Sequence, residues 1–467
     1  MATILFTTLP TDDLGLLTRS LPIAKELSTR GHQAVFSSPA RAPDRLIRSA
    51  GFPNLPPVHP IYDLVGRGAD AVAILRYLVS PDLRRRYGGP VRFLVRLLEV
   101  LPRRIAPPTP EVWNMGQVGA QMGMLDERFV GSSVDAYGKL IRAVRPDAVV
   151  DFWNPFAVIA ARAAGTPVIS VLQADAHPAG RGFIWWKDPP AGLPDPVPVL
   201  NRVMRSRGLP PVAKFEELSL GDLTLVVGCP ETDPLPEAAR PDYIGPLLWE
   251  QPGQAMPEWL DRMEGGRPLI WLYSGNPRYF SGGSTPFDSL VVIRASAEAL
   301  AGEPVQVVLT TGYQALPRDV LPLPANFRHA PFLPGLAMAR RSDLLVHHGG
   351  YGSCQTGLFT GTPAVILPTY SERESNARRI AALGAGEMIR VDSRSGRKSV
   401  DASELREAVR RVLGDPAYSE RAEQAGRSLR AYGGAPRAAD RIEKFLQTKT
   451  AGWHLPEGAS SDADFVY

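Results

Sequence analysis

Several things are scarce in this sequence, and each scarcity narrows the field. Among 467 residues there are two cysteines, Cys229 and Cys354, far apart and in no metal or redox spacing. So few thiols point to a reducing, cytoplasmic setting. No apolar run approaches the roughly 20 residues of a membrane span. Residues 1–15 have no basic start and no long apolar segment, so they read as a first strand and not as a signal peptide. Net charge is only +4, with pI ≈ 9.0, which does not argue for nucleic acid. No Asp-x-Asp pair is placed where a metal role is defensible, and no repeat recurs at 20–50 residues. The 46 prolines and 43 glycines punctuate periodic segments instead of forming low-complexity tracts.

What is present is ordinary globular material, 44% hydrophobic and 21% charged, in a length suited to two domains. Thr3–Thr7 reads as a strand, Leu17–Ser28 as a helix and Gln33–Ser37 as the next strand. That βαβ start predicts a parallel, doubly wound sheet. Further strands are expected at Pro146–Asp151, Pro167–Leu172 and Leu223–Gly228, with helices at Val134–Val144 and Ala157–Ala164. Residues 246–266 read as a linker with a short Pro257–Met263 helix. A second series follows, with strands at Pro268–Tyr273, Val305–Thr310, Phe327–Phe332, Leu344–Val346 and Pro363–Leu367 and helices at Ser403–Leu413, Ala417–Tyr432 and Ala435–Thr450. The expected organisation is an N-terminal Rossmann-like domain over 1–245, the linker, a C-terminal Rossmann-like domain over 267–450 and a polar tail over 451–467.

The most informative stretch runs from Ser342 to Arg379. A short apolar strand leads into His347-His348-Gly349-Gly350-Tyr351-Gly352-Ser353. Glycine there lets the backbone turn and approach a ligand. A helix starting near Ser353 then offers unpaired N–H groups and a positive dipole end, an anion site. After a second strand come Glu372, Arg373 and Asn376.

This stretch resembles the donor-binding motif of GT-B-fold glycosyltransferases of the plant and bacterial natural-product type. Their core runs roughly H-x-G-x-x-S/T, G-x-P, P, D/E-Q and N. The matching places here are His347, Gly349, Ser353, Gly361, Pro363, Pro368, Glu372 and Asn376. The resemblance implies two doubly wound domains facing a cleft, an NDP-sugar (UDP or dTDP) bound mainly by the second, and a small-molecule acceptor on the first. It implies no metal and no cofactor beyond the substrate. Diphosphate would contact His347, Ser353 and the backbone of Gly349, Gly350 and Gly352, with Ser274 and Gly275 nearby. Phe332 would stack on the base and Leu333 would offer its backbone. Glu372 would bind sugar hydroxyls. Arg373 stands where the family has Gln; it pairs with Glu372, contacts phosphate or reads an unusual sugar.

The acceptor side departs further. The family's loop base, a His after a glycine, is replaced by Leu16 after Gly15. Asp151 matches the partner aspartate. Asp13 or Asp12 is then the candidate base, unless the acceptor is an electron-rich carbon or an acidic hydroxyl that needs little deprotonation. Asp175, His177, Trp153 and Trp185 are candidates for acceptor contact, because open α/β sheets bind ligands at strand-end loops.

Pro81–Tyr87 and Val91–Ile105 read as helices in which Arg92, Arg96, Arg103 and Arg104 neighbour Phe93, Leu94, Leu97, Leu98 and Leu101. Such a segment either covers the acceptor cleft or forms a basic, apolar surface that approaches a membrane or a lipid-linked acceptor. The resemblance favours the former. Other expectations are a non-catalytic NDP-sugar-binding partner that lost its base with Leu16, and an epimerase on the same scaffold.

Overall fold

The computed structural model describes residues 1–12, 14–67, 70–107, 109, 112–183, 189–251, 253–263, 266–275, 290–312, 316, 318–394 and 397–448. Two six-stranded parallel sheets organise the chain. The first comprises β1 (Thr3–Thr8), β2 (Gln33–Ser37), β3 (Ala148–Phe152), β4 (Val168–Leu172), β5 (Leu223–Val227) and β6 (Asp242–Gly245), in spatial order β2-β1-β3-β4-β5-β6. The second comprises β7 (Leu269–Tyr273), β8 (Gln306–Thr310), β9 (Phe327–Ala330), β10 (Leu344–His347), β11 (Ala364–Ile366) and β12 (Gly386–Met388), in order β12-β11-β10-β7-β8-β9. A small antiparallel pair, β13 (Asp392–Arg394) and β14 (Arg397–Ser399), follows. Fully buried strands such as Ala364–Ile366 read as continuous apolar runs, as expected of sheets covered on both faces.

Each sheet reverses direction once. In the first, the chain leaves β1 for β2 on one side and later returns to place β3 on the other, with Thr7 opposite Asp151. In the second, β7 gives way to β8 and β9, then β10 crosses to the other side, with His347 opposite Tyr273. Such switch points open a crevice at the carboxyl ends of the flanking strands. The two crevices face one another.

Element boundaries follow local chemistry. The helix Glu127–Val144 starts seven residues before its expected start because Asp126 accepts from the N–H groups of Arg128 and Phe129. The helix Pro90–Val100 stops short of Ile105 because Pro102 cannot continue it. Among the described residues of the expected linker, a 3₁₀ turn at Glu258–Leu260 is the one helical element. The helix after the glycine loop spans Tyr351–Thr360, beginning two residues before Ser353.

The last helix, Ala435–Thr448, leaves the second sheet and packs on the first. Ala438, Ala439 and Ile442 are buried among Leu17, Leu21, Leu27 and Phe6. Arg30, at the end of the first helix (Gly15–Thr29), bonds Asp440 at 2.5 Å and Glu443 at 2.8 Å. Both cysteines are buried and unpaired. No helix among the described residues is long and apolar enough to cross a membrane.

Candidate active site

A cavity of about 770 Å³ lies between the sheets, lined from both switch points. The first contributes Leu9, Thr11 and Leu14 after β1, the following Leu16 and Arg19, and Trp153 after β3. The second contributes Tyr273 at the end of β7 and His348, Gly350, Tyr351, Gly352 and Ser353 after β10. Phe332 and Leu333 form another wall, with Phe332 40% exposed. Tyr370, Glu372 and Arg373 close the far end.

The two adjacent histidines part company. His347 is the last residue of β10 and is buried under the loop, where its Nδ1 accepts from Gly349 N at 3.1 Å. It does not line the cavity; His348 does. His348 therefore holds the cavity position at which His347 is expected, because successive side chains at a strand end point to opposite sides. The spacing H-x-G-x-x-S is met without a gap by His348, Gly350 and Ser353. Burial holds His347 down at about 3, and burial with nearby Arg373 and His347 holds His348 well below its ordinary value. These effects favour the neutral imidazole, which carries one N–H, against a bond to the Tyr273 backbone that favours the charged form.

Gly275 and Gly349 act through space and not as contacts. At Gly275, φ is +78° and a Cβ would stand 2.7 Å from His348 Cε1, so this glycine makes room for the ring. At Gly349, φ is +87° and a Cβ would meet the Arg373 carbonyl at 2.7 Å. Ser274 is fully buried, with its Oγ 3.4 Å from the Gly275 carbonyl, and lies off the cavity wall. Asn376 is also off the wall. Its Nδ2 donates to the Gly349 carbonyl at 3.0 Å and to Glu372 Oε1 at 2.8 Å, which ties the helix Ser371–Ala382 to the glycine loop. Arg373 turns to Thr369 Oγ1 and lies 4.7 Å from the Tyr370 ring centroid, not against Glu372.

On the acceptor side Leu16 lines the cavity where the resemblance expects a base. Asp12 is directed elsewhere: its Oδ1 accepts from Ala42 N at 3.1 Å at the start of the helix Arg41–Ser49. Asp13 and Trp185 lie outside the described residues. Asp151 is buried beneath the wall, where it accepts from Thr7 Oγ1 at 2.6 Å and from the N–H groups of Asn154 and Trp153. Burial lifts its carboxyl to about 7. These bonds hold a turn in which Trp153 has φ +63°, a left-handed conformation unusual for a bulky residue, and the turn sets Trp153 in the cavity wall.

Asp175 and His177 were expected at the acceptor but do not reach the cavity. Asp175 pairs with Arg379 of the second domain and accepts from Ser375 Oγ at 3.3 Å; burial raises its carboxyl although Arg379 opposes the shift. Asp233 lies 3.8 Å from Arg379 and 2.8 Å from the Tyr351 hydroxyl. His177 folds onto its own turn, its Nδ1 accepting from Ala179 N at 3.1 Å. Sequence reading missed Arg19, whose Nη1 donates to Gln173 at 3.1 Å and whose guanidinium sits 5.0 Å from the Tyr351 ring centroid. It also missed the apolar wall of Val112, Met115, Val118 and Phe183. Cleft-facing apolar residues look like core residues in a sequence, and one arginine on an amphipathic helix looks like a solvated charge, so neither carried a signal.

Residues 297–434 match the family described as erythromycin biosynthesis protein CIII-like, C-terminal domain. The chain is 28% identical over 235 residues to the Uncharacterized UDP-glucosyltransferase YojK of Bacillus subtilis (strain 168), an alignment covering 50% of this chain and 54% of that one. It is 29% identical over 223 residues to 4'-demethylrebeccamycin synthase of Lentzea aerocolonigenes, covering 46% and 49%. The chain thus spans about half the length of these curated relatives. The crystal structure of glycosyltransferase VinC in complex with dTDP superposes with a TM-score of 0.62 at 19% identity, covering 96% of this chain and 100% of that one. The chain therefore has the GT-B fold, and in its second half it is similar to the EryCIII-like C-terminal domain.

Proposed function

We propose that the chain transfers a sugar from a UDP- or dTDP-sugar to an apolar, small-molecule natural-product acceptor, without a metal. The observation that carries this reading is the convergence of two switch-point crevices on one cavity. One bears the glycine loop and the N-terminus of Tyr351–Thr360, the other an apolar wall. Departing diphosphate gathers negative charge, and His348, Ser353 and the free N–H groups of that helix stabilise it where it develops. Phe332 supplies a stacking face for the base, and Glu372 accepts from sugar hydroxyls. Arg373 lends positive charge at the same end.

Leucine cannot take a proton, so acceptor activation falls to Asp13 or is unnecessary for an acidic or carbon nucleophile. Asp151 is a positioning residue that fixes Trp153. The test combines calorimetric titration of UDP and dTDP with turnover of their sugars over an acceptor panel, for wild type, His348→Ala and Asp13→Asn. Nucleotide binding and transfer by wild type, with His348→Ala slowed by about 100-fold, are expected. Failure to bind either nucleotide overturns the reading. Binding without turnover on any acceptor makes the chain a sugar-nucleotide-binding partner instead. An Asp13→Asn variant with full activity removes the aspartate base.

A further inference from the structure

Among the described residues, nine of the fourteen exposed large apolar side chains fall between Val72 and Ile105. This segment forms three helices, Ala71–Leu78, Pro81–Tyr87 and Pro90–Val100. Their exposure does not come from loose packing. The helices share a small core of Tyr77, Leu83, Tyr87 and Phe93. Both tyrosine hydroxyls bond the buried Asp63, at 2.9 and 2.5 Å, and Arg86 joins them at 3.1 Å. In Pro90–Val100, Phe93 and Leu97 face that core. Val91, Leu94, Val95 and Leu98 form a second stripe at helical spacing that faces outward, with Val91 73% and Leu98 67% exposed. Val79, just after the helix Ala71–Leu78, is also exposed, at 75%.

The charge on this segment is one-sided. Residues 71–105 hold eight arginines and two carboxylates, Asp82 and Glu99, an excess of six positive charges where the whole chain nets +4. Arg92 and Arg96 fall on the helical wheel between the outward stripe and the buried one, and both are exposed. A helix that presents aliphatic side chains outward with arginines along the edge suits the boundary between headgroups and acyl chains. The exposed set is wholly aliphatic, with none of the aromatic anchors that dominate protein interfaces. A second copy of the chain would bring the same arginines against these, which like-charge repulsion opposes.

We propose that this helical face docks on the surface of an anionic bilayer, lying in its interface without crossing it. Aliphatic side chains enter the headgroup boundary while Arg92, Arg96, Arg103 and Arg104 meet lipid phosphates. Seven residues beyond Ile105 the chain reaches Val112, part of the apolar cavity wall, so docking brings that wall near molecules dissolved in the membrane. This last consequence rests on the transferase reading; the docking does not.

The test is co-sedimentation of the full chain with vesicles of phosphatidylcholine alone and of phosphatidylcholine with phosphatidylglycerol in equal parts. Three proteins are compared: wild type, Arg92→Ser/Arg96→Ser and Leu94→Ser/Leu98→Ser. Because every substituted residue is exposed, unchanged circular dichroism and melting are expected. Wild type binds the anionic vesicles and is released by salt. Each arginine removed weakens binding about fivefold, and the leucine pair weakens it by about tenfold or more. Failure to bind anionic vesicles, or equal binding by all three proteins, overturns the proposal. So does self-association in ultracentrifugation that the leucine pair abolishes while vesicle binding is absent, which makes the face a contact between copies. Nucleotide titration of the same samples reads the transferase site separately, so either idea can fail alone.

Discussion

Arg379, from the helix Ser371–Ala382, forms an ion pair with Asp175, from the turn after β4, where both side chains are buried. Asp233 approaches the same guanidinium at 3.8 Å. Two buried carboxylates therefore depend on one cation across the domain boundary. Arg379→Met should destabilise the protein by about 3–5 kcal/mol, because it strands buried charge. Adding Asp175→Asn to that variant should recover part of the loss. Urea unfolding of the three proteins measures both.

His348→Ala and His347→Ala should separate by mechanism. The first removes a donor from the cavity wall and should lower kcat by about 100-fold with little change in melting. The second empties a space beneath the loop, and should lower melting while retaining nucleotide binding once folded. Gly275→Ala should resemble His348→Ala in kinetics, because its Cβ displaces the ring without touching substrate. Steady-state donor hydrolysis beside thermal melts distinguishes them.

Asp151 carries a pH signature. Its carboxyl stands at about 7 in the fold against an ordinary 3.8, so the folded state holds a proton that the unfolded state releases. That contribution is complete below the unfolded value and is lost as pH rises through about 7. Relative to Asp151→Asn, wild type should lose on the order of a few kcal/mol between pH 4 and pH 8. Urea midpoints of both proteins across that range give the difference.

Trp153→Gly should cost about 1 kcal/mol less stability than Trp153→Ala, the reverse of the usual order, because φ +63° strains alanine and not glycine. Both should raise the acceptor KM and leave nucleotide affinity unchanged. Paired denaturation and binding curves measure both effects.

The parallel sheets were legible because each strand is a short apolar run bounded by turn residues, and the glycine loop because few other local sequences put such residues after a strand. Which histidine faces the cleft was not legible from composition. It depends on where β10 ends, and so on which side of the last strand residue each ring falls. Asp175 sits at a strand end, where ligands bind, yet its partner lies 204 residues away on the opposing domain, a pairing that only the assembled cleft creates. The arginine-rich helices read as amphipathic, but sequence cannot say which of two apolar stripes meets a core. The small cluster around Tyr77 and Phe93 settles that and leaves the other stripe outside.

The helix Ala435–Thr448 has a consequence for how the chain is made. It fills a groove on the first helix that residues near the amino terminus have already shaped, and Ile442 completes a core begun at Ile4. A ribosome emitting this chain must therefore synthesise more than four hundred residues before its first-made domain can close. Until then the face of the first helix that Ala435–Thr448 covers stays open, a binding opportunity for chaperones and a reason to expect truncations before residue 435 to precipitate.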